Sequence, residues 1–109
     1  MKQVCKASED GYINVLEGIE RKTLVFGSIS LMTEFKLEKG KSLPLHKHPN
    51  EQTGYLISGY IILKIDGQSL DMHSGDSWCI PENIEHEAKV IENSIAIEVF
   101  CPIRKDYLL

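Results

Sequence analysis

The chain carries His46-Lys47-His48, with Gln52 four residues further on. In an extended strand successive side chains point to opposite faces. His46 and His48 therefore point the same way, about 7 Å apart along the strand. Two imidazoles at that spacing can converge on one metal ion. Far downstream, Pro81-Glu82-Asn83-Ile84-Glu85-His86 offers a third imidazole. Imidazole donors suit zinc, iron, nickel and copper, and donor type alone does not choose among them. His73 differs: it stands alone in the turn His73-Ser74-Gly75-Asp76 and reads as a surface residue.

A second chemical feature lies near the C-terminus. In Ala96-Ile97-Glu98-Val99-Phe100, Ile97 and Val99 share one strand face while Glu98 and Phe100 share the other. An acid in an otherwise apolar strand needs an explanation, because burying it unpaired is costly. Either Ile97 and Val99 face inward and Glu98 is solvated, or Glu98 lines a cavity with a raised pKa suited to proton transfer. Arg104 follows shortly after. Its planar fork suits a carboxylate ligand or, alternatively, a salt bridge that pins the tail.

The elements that must position these groups read as strands. Tyr12 to Leu16 and Glu20 to Phe26 come first, after a polar arm at 1–10. Ile29, Leu31, Thr33, Phe35 and Leu37 then alternate with polar neighbours, the clearest period-2 stretch in the chain. Tyr55 to Ser58 and Tyr60 to Ile65 flank Gly59 as an expected hairpin, and Asp66-Gly67 is a strong turn signal leading into Ser69 to Met72. Trp78 to Ile80, Glu85 to Val90 and, after an expected turn at Glu92-Asn93-Ser94, Ile95 to Cys101 complete the series. No segment holds a 3.6-residue period over three turns. Short strands with turns every eight to twelve residues predict an all-β domain of the two-sheet jelly-roll kind.

A length of 109 residues suits one domain with a single core. The net charge of −4 argues against nucleic acid, which calls for a basic face. Cys5, Cys79 and Cys101 are odd in number and widely spaced, so free thiols in a reducing, cytoplasmic setting are expected. The start MKQVCKASEDG lacks the apolar core of a signal peptide, and no run is long and apolar enough to suggest a membrane span.

Gly40, His46, His48, Gln52 and Gly59 fit the first motif of the cupins, with Gln52 where that family usually has Glu. Gly75, Pro81 and His86 fit the second motif, with Asn83 and Val90 in place of its middle Gly and final Asn. The chain thus resembles a single cupin domain over 1–109, a double-stranded β-helix or jelly-roll barrel, with motifs at about 40–59 and 75–90. The resemblance implies a metal held by His46, His48, Gln52 and His86. Glu51 stays open as the fourth ligand if a bulge turns it inward. A neutral set of three imidazoles and one amide would leave the ion its full +2 charge, favouring polarisation of an oxygen over redox cycling.

The HxHPxEQ start and the acid-x-Phe…Pro-x-Arg-x-Asp-Tyr-Leu end are similar to the small cupins of pectin and alginate breakdown, which open unsaturated uronates into linear keto acids. There an Asp, a Phe and an Arg near the C-terminus are the proposed active-site residues. Glu98, Phe100 and Arg104 match them in order and spacing, with Glu98 standing where that family has Asp. The implied protein is a cytoplasmic isomerase of carbohydrate metabolism acting on a sugar acid, a homodimer carrying one zinc, nickel, iron or manganese ion. Tyr55 and Tyr60 are further candidate donors. A metal-dependent dioxygenase and a non-catalytic sugar- or metabolite-binding cupin are the alternatives.

Overall fold

The computed structural model describes residues 1–108 and contains eight strands and one short helix. The strands are β1 (Ile13–Leu16), β2 (Ile19–Phe26), β3 (Leu31–Leu37), β4 (Ser42–His46), β5 (Glu51–Ile65), β6 (Gln68–His73), β7 (Ser77–Ile80) and β8 (His86–Cys101), and a 3₁₀ helix spans Lys105–Leu108. The strand order is β1-β2-β3-β8-β5-β6, with β4 added to β8 and β7 to β5. Every pairing is antiparallel. This is the all-β architecture that the turn spacing predicts.

The long strands β5 and β8 are the spine, paired from Glu51↔Cys101 to Ile65↔His86. Towards the Cys101 end, β8 takes β3 as its other neighbour and β5 takes β7. Towards the His86 end, β8 takes β4 and β5 takes β6. Each long strand therefore serves two layers, and the inward residues of both meet in one core. Ile19, Leu31, Leu56, Ile80 and Phe100 are its fully buried members.

Two expected turns prove to be bends within continuous strands. Gly59 does not reverse the chain, and Glu92-Asn93-Ser94 lies inside β8. The β5–β8 register slips between Leu56 and Ile61, so the two irregularities face each other. Gly59 has φ 103°, and a Cβ there would collide with the Ser94 hydroxyl. That hydroxyl accepts from Tyr60 N–H at 3.1 Å and donates to Glu92 C=O at 2.7 Å, satisfying the kinked backbone. A bulge breaks period-2 alternation just as a turn does, and it bends a strand from one layer into the next.

Smaller differences follow the same logic. Ile29 stands outside β3 and is exposed, and β1 begins at Ile13 rather than Tyr12. The Asp66-Gly67 hairpin forms with both residues at positive φ, as a two-residue primed turn requires. The N-terminal arm is tied down: Lys2 bridges Phe26, and Lys22 Nζ donates to Ser8 C=O at 3.1 Å. Among the described residues no helix is long and apolar enough to cross a membrane.

Candidate metal centre and cavity

His46 is the last residue of β4 and pairs with His86, the first residue of β8. His48 lies past the end of β4 rather than within an extended strand, so its approach to His46 comes from the loop and not from strand alternation. The three rings crowd together, with centroids 4.1 Å apart for His46–His86, 5.0 Å for His48–His86 and 5.7 Å for His46–His48. One nitrogen from each lies within 4.8 Å of the others, so the group can hold a metal ion.

Hydrogen bonds decide which nitrogens are available. The Nδ1 atoms of His46, His48 and His86 each face a backbone carbonyl two residues away: Pro44 at 2.8 Å, Asn50 at 3.0 Å and Ile84 at 2.9 Å. A carbonyl only accepts, so each Nδ1 carries the proton and each Nε2 presents a lone pair. Burial lowers the pKa of His48, and it lowers that of His86 to about 4, so both are neutral at pH 7. His86 Nε2 is buried with no partner among the described residues. His48 Nε2 sits 3.0 Å from Gln52 Oε1. Two acceptors at that distance repel unless a cation lies against both, which is what a metal-ligand set requires. The residues present therefore fit a divalent metal.

Gln52 is buried at the start of β5, and its neighbour Glu51 is exposed. Regular alternation holds at this point, with no bulge to turn Glu51 inward. Gln52 also lies beside Glu98 and favours the charged form of its carboxyl. Its amide oxygen faces the histidines.

Glu98 faces inward on β8, between Ala96 and Phe100, and is 7% exposed. Gly54 pairs with Trp78 on one side and with Glu98 on the other. The missing side chain leaves a gap through which the indole reaches the acid, Nε1 donating to Oε1 at 3.1 Å and Oε2 at 3.3 Å. A Cβ at position 54 would collide with both partners. Burial raises the Glu98 pKa to about 8, against the opposing pull of Gln52 and of the bonds from Trp78. The carboxyl is therefore mostly protonated at neutral pH.

A cavity of about 240 Å³ joins the two ends, with His46, Gln52 and His86 on its wall together with Trp78, Glu98 and Arg104. Val15, Leu16, Leu43 and Pro44 supply apolar lining. Arg104 both lines the cavity and pairs with the tail. Its Nε and Nη2 donate to Asp106 at 3.4 and 2.9 Å, and its Nη1 donates to the Tyr107 hydroxyl at 2.9 Å. A guanidinium has five N–H groups, so among the described residues one on each terminal nitrogen is left without a partner and can meet a ligand oxygen. Phe100 is buried beneath, edge-on to His48, with the Arg104 guanidinium 5.2 Å from its centroid.

The family model described as Cupin domain matches residues 33–101. The chain belongs to the cupin family. It is 29% identical over 94 residues to the pectin degradation protein KdgF of Dickeya dadantii, covering 84% of this cupin and 86% of that protein. It is also 29% identical over 104 residues to H2HPP isomerase of Bacillus subtilis, where the match covers 88% of this cupin but 44% of the longer relative. Among solved structures, KdgF from Halomonas sp. superposes with a TM-score of 0.92 at 25% identity, both chains fully covered.

In this cupin the cavity gathers His46, Gln52, His86, Glu98, Phe100 and Arg104, and His48 meets Gln52 outside that lining. It leaves out Tyr55 and Tyr60. Tyr55 is exposed, and the Tyr60 hydroxyl donates to Asp71 at 2.7 Å on the outside. His73 is exposed, as the turn context predicts. Sequence reasoning passed over Gly54, Trp78 and Asn50. Asn50 Nδ2 donates to Pro102 C=O at 2.7 Å and ties the tail to the histidine loop. A glycine inside a strand pattern, which signals close approach of a neighbour, could have flagged Gly54. A lone tryptophan, whose buried N–H needs an acceptor, could have flagged Trp78.

Proposed function

We propose that this cupin is a metal-dependent enzyme that opens or tautomerises an unsaturated uronate or a related sugar acid. The observation that carries the reading is the Glu98 carboxyl. It is buried and mostly protonated at neutral pH, and it shares one cavity with His46, His86 and Arg104. His46, His48, Gln52 and His86 would hold the metal, by the tautomers and the acceptor pair described above. A divalent ion there would act as a Lewis acid on a ligand oxygen.

The protein's own groups supply the rest. Arg104 binds the sugar carboxylate through its terminal N–H groups, while Asp106 and Tyr107 fix its plane. Phe100 forms the wall against which the ring lies. Opening a cyclic hemiacetal removes a proton from the anomeric hydroxyl and delivers one to the ring oxygen. Conversion of the resulting enol to a ketone moves a proton from oxygen to carbon. Neither step is a redox step, so a group that gives and recovers a proton near neutral pH suffices, and Glu98 is such a group. The relatives' names fit this reading, one being a pectin degradation protein and the other an isomerase.

Two further parts belong to the proposal. Ile13, Val15 and Leu16 lie exposed on the edge strand β1, and a second copy covering that edge would make a homodimer. Cys5, Cys79 and Cys101 are free thiols, which fits work in a reducing compartment such as the cytoplasm. The deciding experiment uses the purified protein with its metal and the unsaturated uronates released by a pectate or alginate lyase. Loss of absorbance from the conjugated double bond without oxygen uptake supports the reading. Oxygen uptake coupled to turnover points to a dioxygenase instead. Binding without any turnover points to a ligand-binding cupin.

A further inference from the structure

Tyr107 is held more firmly than a side chain in a C-terminal tail needs to be. Its N–H donates to Arg104 C=O at 2.9 Å, and its own C=O accepts from the Thr23 hydroxyl at 2.5 Å. Its ring meets Phe100 edge-on at 5.2 Å and Phe35 at 6.4 Å. Arg21 and Arg104 place their guanidinium carbons 3.9 and 4.0 Å from the ring centroid. Both guanidinium groups thus lie over the phenol ring in cation–π contact.

Arg21 is the less expected of the two. It pairs with Phe35 across β2 and β3 and faces the interior, 9% exposed. Its Nε and Nη1 are buried with no partner, and it forms no ion pair among the described residues. A buried cation held chiefly by an aromatic face is costly, and its charge is left to act on whatever Tyr107 touches. Tyr107 lines the cavity together with Arg104. The phenol oxygen accepts from Arg104 Nη1 at 2.9 Å, so its own proton is left over, with no acceptor among the described residues. Burial raises the Tyr107 pKa, which keeps the phenol a donor.

We propose that Tyr107 is a ligand-contacting residue of this cavity. Its hydroxyl donates a hydrogen bond to a sugar-acid oxygen next to the carboxylate that Arg104 holds, and Arg21 is a positioning residue that fixes the phenol. The proposal rests on the reading of the cavity as a sugar-acid site. It adds a donor and a supporting cation that lie outside the set Glu98, Phe100 and Arg104.

The protein carries its own probe, since Trp78 is the single tryptophan and lines the same cavity. Its fluorescence is titrated in metal-loaded protein with D-galacturonate, and with D-galactose as the uncharged control. Wild type should bind the acid at least about tenfold more tightly than the neutral sugar. Tyr107→Phe keeps the ring and its stacking, so its melting temperature should stay near that of wild type. Its dissociation constant for galacturonate should rise about tenfold, the order expected for one lost hydrogen bond near a charge. Arg21→Met should raise that constant about three- to fivefold, and Arg21→Lys, which keeps a cation over the ring, should restore it to within about twofold. Unchanged affinity in Tyr107→Phe overturns the ligand-contact role while leaving the sugar-acid reading intact. Equal affinities in Arg21→Met and Arg21→Lys overturn the positioning role. A wild type that binds neither sugar, or both equally, overturns the sugar-acid reading and this proposal with it.

Discussion

At the histidine end of the cavity each ring is held by a carbonyl two residues away in its own chain segment, whereas at the acid end the Glu98 carboxyl is held by an indole twenty residues distant. The first arrangement needs only short loops around β4 and the start of β8. The second needs three strands in register and a glycine gap between them. The histidine end should therefore tolerate disturbance of the barrel better than the acid end. Gln52 joins the two, since its oxygen faces His48 and it lies beside Glu98, whose charged form it favours.

The largest expected effect comes from removing proton exchange alone. Glu98→Gln should lower turnover of an unsaturated uronate by about 10²–10⁴-fold while metal content, measured by mass spectrometry, stays unchanged. A variant that retains the full rate would separate the chemistry from the acid end altogether.

Gln52→Ala tests the link between the ends. It should cost about 10–100-fold in metal affinity, the range seen when groups around a metal are lost. Glu51→Ala should cost nothing measurable, because Glu51 is exposed. Competition with a chelator reads both, and an equal or larger loss at Glu51 reverses the assignment.

Gly54→Ala breaks only the acid end. Its methyl group forces Trp78 and Glu98 apart, so stability should fall by about 1–3 kcal/mol in a urea melt, with a shift in Trp78 emission. Metal content should hold, and its loss would show that the two ends are coupled through the barrel.

The smallest effect is a pH dependence in metal-stripped protein. Glu98 has its pKa raised from 4.5 to about 8, so between those values the folded chain keeps a proton that the unfolded chain has released. Stability from this group is therefore full below about pH 4.5 and is lost as pH rises to about 8. The melting temperature of Glu98→Gln should gain steadily on wild type across that window. A constant difference would mean that Glu98 is charged throughout.

The sequence by itself determined the donor types, their spacing and the all-β class. His46, His48 and His86 sit within or beside short segments, and each ring is locked by a carbonyl two residues away, so local chemistry carries much of that geometry. The tight Asp66-Gly67 turn was legible for the same reason. Only the tertiary structure decided that Gly59 and Ser94 are facing bulges in two continuous strands. A break in alternation looks the same in one strand whether the chain reverses or bends, and the distinction lies in the partner strand. It also decided that Glu98 faces inward. Alternation leaves two faces equivalent until a neighbour covers one, and here Trp78 reaches Glu98 across Gly54 from β7. Tyr107 and Arg21 lie near opposite ends of the chain and meet face to face only because the tail folds back onto β2, a contact that no local pattern in either segment encodes.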